Sequence, residues 1–198
     1  NHPGWRRTSV DYTEVERKAY DEGLIDGVEV INGAASGEFY PKVVDRAVER
    51  EIFISGNTDI HRTTATDCIQ KGGCRTMTLI LAQDNSLESV REALEARRTI
   101  AFGLGCVAGE EQLLKDLFNA CVTSRFTRID SKGRPVMRLT NMSSIPFVIR
   151  AVGRNPMCLE PFTTLDFKLA SSDSKSFMVT LDNLWCGEGK HPSVELTY

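Results

Sequence analysis

The chain has no Cys-x-x-Cys pair among its six cysteines, no Gly-x-Gly-x-x-Gly and no P-loop pattern. A structural zinc knuckle, a dinucleotide fold and a Walker-type nucleotide site are thereby set aside. Ser/His/Asp chemistry lacks a nucleophile elbow. No apolar run approaches the ~20 residues that a membrane span requires. There is no basic surplus either: the formal net charge is −3, which argues against a broad nucleic-acid-binding face, since phosphate backbones need a basic surface. Histidine is scarce, with three in 198 residues, so imidazole ligands are few. An initiating methionine is also missing. The chain opens at Asn1 inside a motif-like stretch, as a fragment or a processed product would. The sequence leaves both a cytoplasmic and an exported (periplasmic) location open, and the cysteine count does not decide between them.

What is present is an ordinary globular composition, 41% hydrophobic and 26% charged. Asn1-His2-Pro3-Gly4-Trp5 reads as a turn. Thr13 with Glu16 forms a capping-box pattern, and the helix it starts should stop near Gly23. Residues 27–31 read as a buried strand. Pro41 suits the first turn of a helix with Val43, Val44, Ala47 and Val48 on one face. A strand at residues 52–54 follows, then one at 77–82. Asn85 with Glu88 caps another helix, and Arg97 and Arg98 suit its C-terminal end. A short strand at 99–102 and a helix at 110–121 complete this half. Alternating strands and helices predict a largely parallel sheet or barrel, with chemistry gathered at the strand carboxyl ends.

From about Ser124 the helical period gives way to short alternating runs separated by turn clusters. Strands are expected at 125–129, 136–139, 146–152, 164–169 and 177–181, as an antiparallel β module. Phe147, Val148 and Ile149 form an unbroken apolar run, which suits either a sandwich core or an edge that pairs with a second copy. A homodimer through this module is one expectation.

The chemistry centres on Ile54-Ser55-Gly56-Asn57-Thr58-Asp59-Ile60-His61-Arg62. In extended backbone, residues i and i+2 point the same way, so Asp59 and His61 can face one pocket. A carboxylate and a neutral imidazole suit Zn, Mn or Fe, although such a pair is more often a hydrogen-bonded loop couple. His2, beside a rigid proline, reads by itself as an exposed or hydrogen-bonded side chain. Glu29, within a buried strand, could be a ligand, but reads rather as an acceptor behind the site or half of an ion pair. Trp5 with Arg6 and Arg7 reads as a solvated turn with one anchoring aromatic. His191, in Gly189-Lys190-His191-Pro192, reads as a surface loop residue.

Several of these stretches together resemble a known family. Asn1-His2-Pro3-Gly4-Trp5, Gly27-Val28-Glu29-Val30-Ile31-Asn32-Gly33, Gly56-Asn57-Thr58-Asp59-Ile60-His61, and Met77-Thr78-Leu79-Ile80 with Ala93-Leu94-Glu95-Ala96-Arg97-Arg98-Thr99 are similar in order and spacing to the C-terminal half of a PHP (polymerase and histidinol phosphatase) domain. The likeness covers about residues 1–102 and is greatest to stand-alone phosphoesterases and phosphodiesterases with an appended β domain. It implies an α/β fold: the C-terminal half of a distorted (β/α)7 barrel over residues 1–122, then a small antiparallel β-sandwich over 123–198. It also implies a trinuclear site of divalent ions (Zn, Mn or Fe) at the strand ends. The family's ligands fall here on His2, Asp59 and His61, with Arg62 a candidate for steadying phosphate. Glu29 and Asn32 match a signature that lines the barrel outside the metal set.

The family's opening His-x-His, its second histidine pair and its bridging glutamate would lie before Asn1. The expectation is therefore a metal-dependent phosphoesterase when intact, acting on a phosphorylated small molecule or phosphodiester through a metal-activated water, with the 198-residue chain alone inactive. Two other classes fit the same residues: an interaction or dimerisation module with a vestigial PHP half, and a regulatory PHP domain that binds metal without turnover.

Overall fold

The computed structural model describes Pro3 and residues 9–33, 37–61, 75–169 and 176–197. Contacts divide the chain into two units, residues 1–113 with Trp185–Lys190, and Leu114–Leu184 with residues 191–198. The first unit opens with α1 (Glu14–Asp21), whose capping box is complete: the Thr13 side chain accepts from the Glu16 N–H, and the Glu16 carboxylate accepts from Thr13. β1 (Gly27–Gly33) pairs antiparallel with β2 (Gly37–Phe39) on one side and parallel with β3 (Phe53–Asn57) on the other. Between them α2 (Pro41–Glu49) makes the crossover that a parallel pair requires, with Pro41 at its start. Its Val43, Val44 and Ala47 pack in one cluster with Val28, Val30, Ile31 and Ile54. Each such side chain contributes roughly 1.5–3 kcal/mol for the larger residues when fully removed from water.

β4 (Met77–Ile80), α3 (Leu87–Glu95), β5 (Thr99–Gly103) and β6 (Cys106–Ala108) complete this unit's strands and helices up to residue 110. The cap of α3 is Ser86, one residue after the expected Asn85: its hydroxyl accepts from the Ser89 N–H. β4 and β5 pair antiparallel, Met77 opposite Phe102 and Ile80 opposite Thr99. α3 is therefore an excursion that leaves and re-enters at the same end of the sheet. Leu81 N donates to Arg98 O at 2.9 Å, and Arg98 Nε donates to Leu81 O at 3.0 Å, closing that excursion. β5 and β6 form a tight hairpin across Leu104 and Gly105, both at positive φ (53° and 76°), the backbone of a type I′ turn.

α4 (Glu111–Cys121) carries the chain into the second unit. There β7 (Val122–Ile129), β8 (Pro135–Asn141), β9 (Phe147–Ala151), β10 (Met157–Leu159), β11 (Thr164–Lys168) and β12 (Ser176–Leu181) lead to the two-residue β13 (Leu184–Trp185) and to β14 (Ser193–Thr197). One sheet runs β11-β8-β7 and another β10-β9-β12-β14, all antiparallel. The core includes Phe118 edge-on to Phe147 at 5.2 Å, with Met137, Leu139, Ile149, Val179 and Leu181 buried. Asn141, 1% exposed, ties the unit together. Its Nδ2 reaches Ile145 O at 2.7 Å, Glu160 O at 3.2 Å and Leu159 O at 3.3 Å, and its Oδ1 accepts from Ser143.

These facts correct the expected fold class. The described residues form four helices and short strands in four small sheets, mostly antiparallel, rather than half of a (β/α)7 barrel. β1 and β3 are the parallel pair. Periodicity identified helices and strands, but strand direction depends on whether a connection crosses the sheet, and the α3 connection does not. The Phe147, Val148 and Ile149 run lies on β9, flanked by β10 and β12, with Phe147 and Ile149 fully buried. A central strand has no free edge to offer a second copy.

The chain returns to the first unit at Trp185–Lys190. Trp185 meets Phe39 edge-on at 5.3 Å and accepts from the Gly109 N–H. Asp45 on α2 accepts from the Glu188 N–H at 2.8 Å and from Lys190 Nζ at 2.5 Å.

Candidate functional site

The polar residues of interest collect where β1 and β3 end. These strands run parallel, so their carboxyl ends coincide, and Asn32 is the Cα partner of Asn57. Beyond Asn57 the chain turns sharply, because Asp59 has φ +49°. The extended geometry expected around Asp59 therefore does not hold. The two side chains still meet: Asp59 Oδ1 lies 3.7 Å from His61 Nε2. Both are open to solvent, with side-chain exposures of 55% and 86%. His2 and Arg62 lie outside the described residues, as do Trp5, Arg6, Arg7, Cys68 and Cys74.

On β1 and β3, before this pair, polar side chains bond to one another. Glu29 is 6% exposed and accepts from Asn32 Nδ2 at 3.2 Å. Among the described residues it is an acceptor held by an amide, and no ion pair to it is found. Ser55, the Cα partner of Glu29, donates to Val28 O at 3.4 Å and accepts from Asn57 Nδ2 at 3.3 Å. The Tyr40 hydroxyl donates to the Glu38 carboxylate. Burial, reinforced by that bond and by the charges of Glu38 and Glu29, pushes the Tyr40 phenol well above its ordinary pKa.

Ser55 and Asn57 were passed over in the sequence, although alternation in Ser55-x-Asn57-x-Asp59 already placed two more polar side chains in line with Asp59. His191 lies in a loop and is half-buried, its Nδ1 2.9 Å from Leu184 O.

The donor set of Asp59 and His61, one carboxylate and one imidazole, is of a kind that divalent transition ions accept. Among the described residues no group of three or more His, Cys, Asp or Glu side chains is arranged to hold a metal ion. A shallow hollow of about 840 Å³ lies over Ile80, Gln83, Ser89 and Arg98, and two others lie at the amino ends of β1 and β3. One of about 500 Å³ is lined by Tyr20, Asp26, Arg50, Phe53, Leu94 and Arg97, and a smaller one of about 230 Å³ lies across the Glu51–Arg97 ion pair. No helix among the described residues is long and apolar enough to cross a membrane.

No family model matches the chain, and no curated protein matches it significantly. Its fold is similar to a crystal structure from Bacteroides vulgatus, that of a two-domain protein containing a predicted PHP-like metal-dependent phosphoesterase. The TM-score is 0.85 at 23% sequence identity, over 96% of this chain and 58% of that one. At that identity the likeness is one of fold, and this chain spans somewhat over half of the other protein's length.

Proposed function

We propose that this chain belongs to a metal-dependent phosphoesterase of PHP type, in which Asp59 and His61 contribute ligands to a divalent metal site. The observation that carries this reading is the placement of the Asp59–His61 couple directly after β3, in a fold similar over nearly its whole length to that of a protein containing such an enzyme. The substrate would be a phosphate ester, either a phosphorylated small molecule or a phosphodiester.

Bound divalent ions supply Lewis acidity, activation of water near neutral pH and neutralisation of charge on phosphate oxygens. The residues of the chain have simpler tasks. Asp59 brings the negative charge that holds a cation, and His61 brings a neutral nitrogen lone pair. Their openness leaves room for a substrate and for further donors, since a catalytic zinc takes about three protein ligands. Zn, Mn and Fe all suit the pair.

Elemental analysis and turnover of a chromogenic phosphodiester by the full-length protein with added Mn or Zn test the reading. Asp59→Asn keeps the shape and removes the charge; together with His61→Ala it should lower metal affinity by about tenfold or more and reduce turnover accordingly, with folding intact. His191→Ala should leave metal content unchanged. If Asp59→Asn retained wild-type metal content and rate, the reading would be wrong.

A further inference from the structure

β1 carries one residue more than β3 between two matched positions. Glu29 faces Ser55 and Ile31 faces Gly56, so Val30 is a bulge. In an unbroken strand, residues three apart point to opposite faces. The extra residue brings Asn32 back to the face of Glu29, which is why its amide reaches that carboxylate. The next matched pair is Asn32 with Asn57, and such neighbours share a face of the sheet.

Both amides are oriented from beneath. Asn32 donates from its NH₂ to a carboxyl oxygen of Glu29, which turns its own carbonyl oxygen away. On β3 a backbone carbonyl plays the same part. Val28 O can only accept, so Ser55 must donate to it, and the Ser55 oxygen is left to receive Asn57 Nδ2. Asn57 too presents its Oδ1 outward. One side chain is half-buried and the other exposed, and the carboxylate of Asp59 follows two residues on.

We infer that Asn32 and Asn57 form a pair of neutral acceptors that recognises hydroxyl groups on the ligand, those of a sugar or polyol carried by a phosphate ester. The phosphate half of this statement rests on the phosphoesterase reading; the hydroxyl half rests on the amide orientations alone. A phosphate oxygen is itself an acceptor and gains nothing from this pair, whereas a hydroxyl donates to it. Sites built to bond a hydroxyl discriminate strongly against analogues that lack one.

Ligand-observed NMR on the full-length protein with added Zn²⁺ tests this with three probes: methyl phosphate, ribose 5-phosphate and methyl β-D-ribofuranoside. Ribose 5-phosphate should bind about tenfold tighter than methyl phosphate. Asn57→Leu, at an exposed position, should bring that ratio close to one. Glu29→Gln should shrink it severalfold, because a glutamine amide can donate as well as accept and no longer dictates how Asn32 turns. Equal binding of the two phosphates, or a preference that survives both substitutions, would overturn the acceptor pair and leave the phosphoesterase reading standing. Riboside binding that Asn57→Leu abolishes, without any binding of methyl phosphate, would support the pair and sink the phosphoesterase reading. Silence from all three probes would overturn the pair. So would displacement of ribose 5-phosphate by Ca²⁺, which would make the two carbonyls cation ligands instead.

Discussion

The carboxylate of Asp45 lies 2.5 Å from the ammonium of Lys190, 145 residues further along the chain. Burial by itself would raise the Asp45 pKa, but the Glu188 N–H and the Lys190 charge outweigh it and hold the carboxyl below its usual range. A carboxyl with a depressed folded pKa stabilises above its unfolded value, about 4, and loses that contribution as pH falls through the folded value. Asp45→Asn should therefore lower the Tm by about 3 °C at neutral pH, and the gap to wild type should shrink as pH falls below about 4. Thermal melts of both proteins across that range provide the check; a gap independent of pH would mean that the charge is irrelevant to the hairpin.

The turn between β7 and β8 is a second acid-sensitive point. Asp130 accepts from the backbone N–H groups of Arg134 and Lys132 and from the Arg134 guanidinium, and its pKa is pulled down to about 2, chiefly by the Arg134 N–H. Its contribution is complete above about pH 4 and disappears as pH falls through about 2. Amide exchange in residues 130–134 should accelerate in Asp130→Asn at pH 6. The difference should shrink steadily as pH is lowered from about 4 toward about 2.

Gly103 is demanded by Thr76. A Cβ at residue 103 would sit 2.4 Å from Thr76 Oγ1 and 2.7 Å from its Cγ2. Gly103→Ala should cost about 2 kcal/mol, read by chemical denaturation, and Thr76→Ala should recover most of it in the double variant. The Thr76 hydroxyl is buried without a hydrogen-bond partner, so Thr76→Val, which keeps the shape and removes that orphan, should be neutral or stabilising by up to about 1 kcal/mol.

Asn141→Asp should be among the most damaging substitutions in the second unit. Asn141 Nδ2 faces three carbonyl oxygens, and a carboxylate there would present acceptor to acceptor in a buried place. A loss of about 3 kcal/mol or more is expected, against a smaller loss for Asn141→Ser. If the two variants denature at the same urea midpoint, donation by Asn141 is not what holds those loops.

Local chemistry was legible in the residues, and direction was not. Thr13 with Glu16, Pro41, and the apolar spacing of Val43, Val44 and Ala47 announced α1 and α2 because capping and burial act within a few residues. The strands after residue 124 announced themselves by alternation. The antiparallel pairing of β4 and β5 could not be read, since it depends on a closure between Leu81 and Arg98. At the candidate site, Asp59 and His61 were visible by type and spacing. The positive φ at Asp59 was not, because an aspartate can adopt that backbone with no neighbouring glycine to signal it. The bulge at Val30 was hidden for a similar reason: Glu29 and Asn32 look like opposite-face residues until the extra residue is counted.

Asp45 and the Trp185–Lys190 segment also bear on how this chain can be inherited. A recombination event with its breakpoint anywhere between residues 113 and 185 would join one parent's α2 to another parent's hairpin. Asp45, Glu188 and Lys190 then have to arrive from the same ancestor for the clamp to close. The first unit is not a contiguous cassette, and chimaeras that exchange residues 1–113 alone should melt a few degrees lower than those that carry 185–190 along, about as Asp45→Asn does.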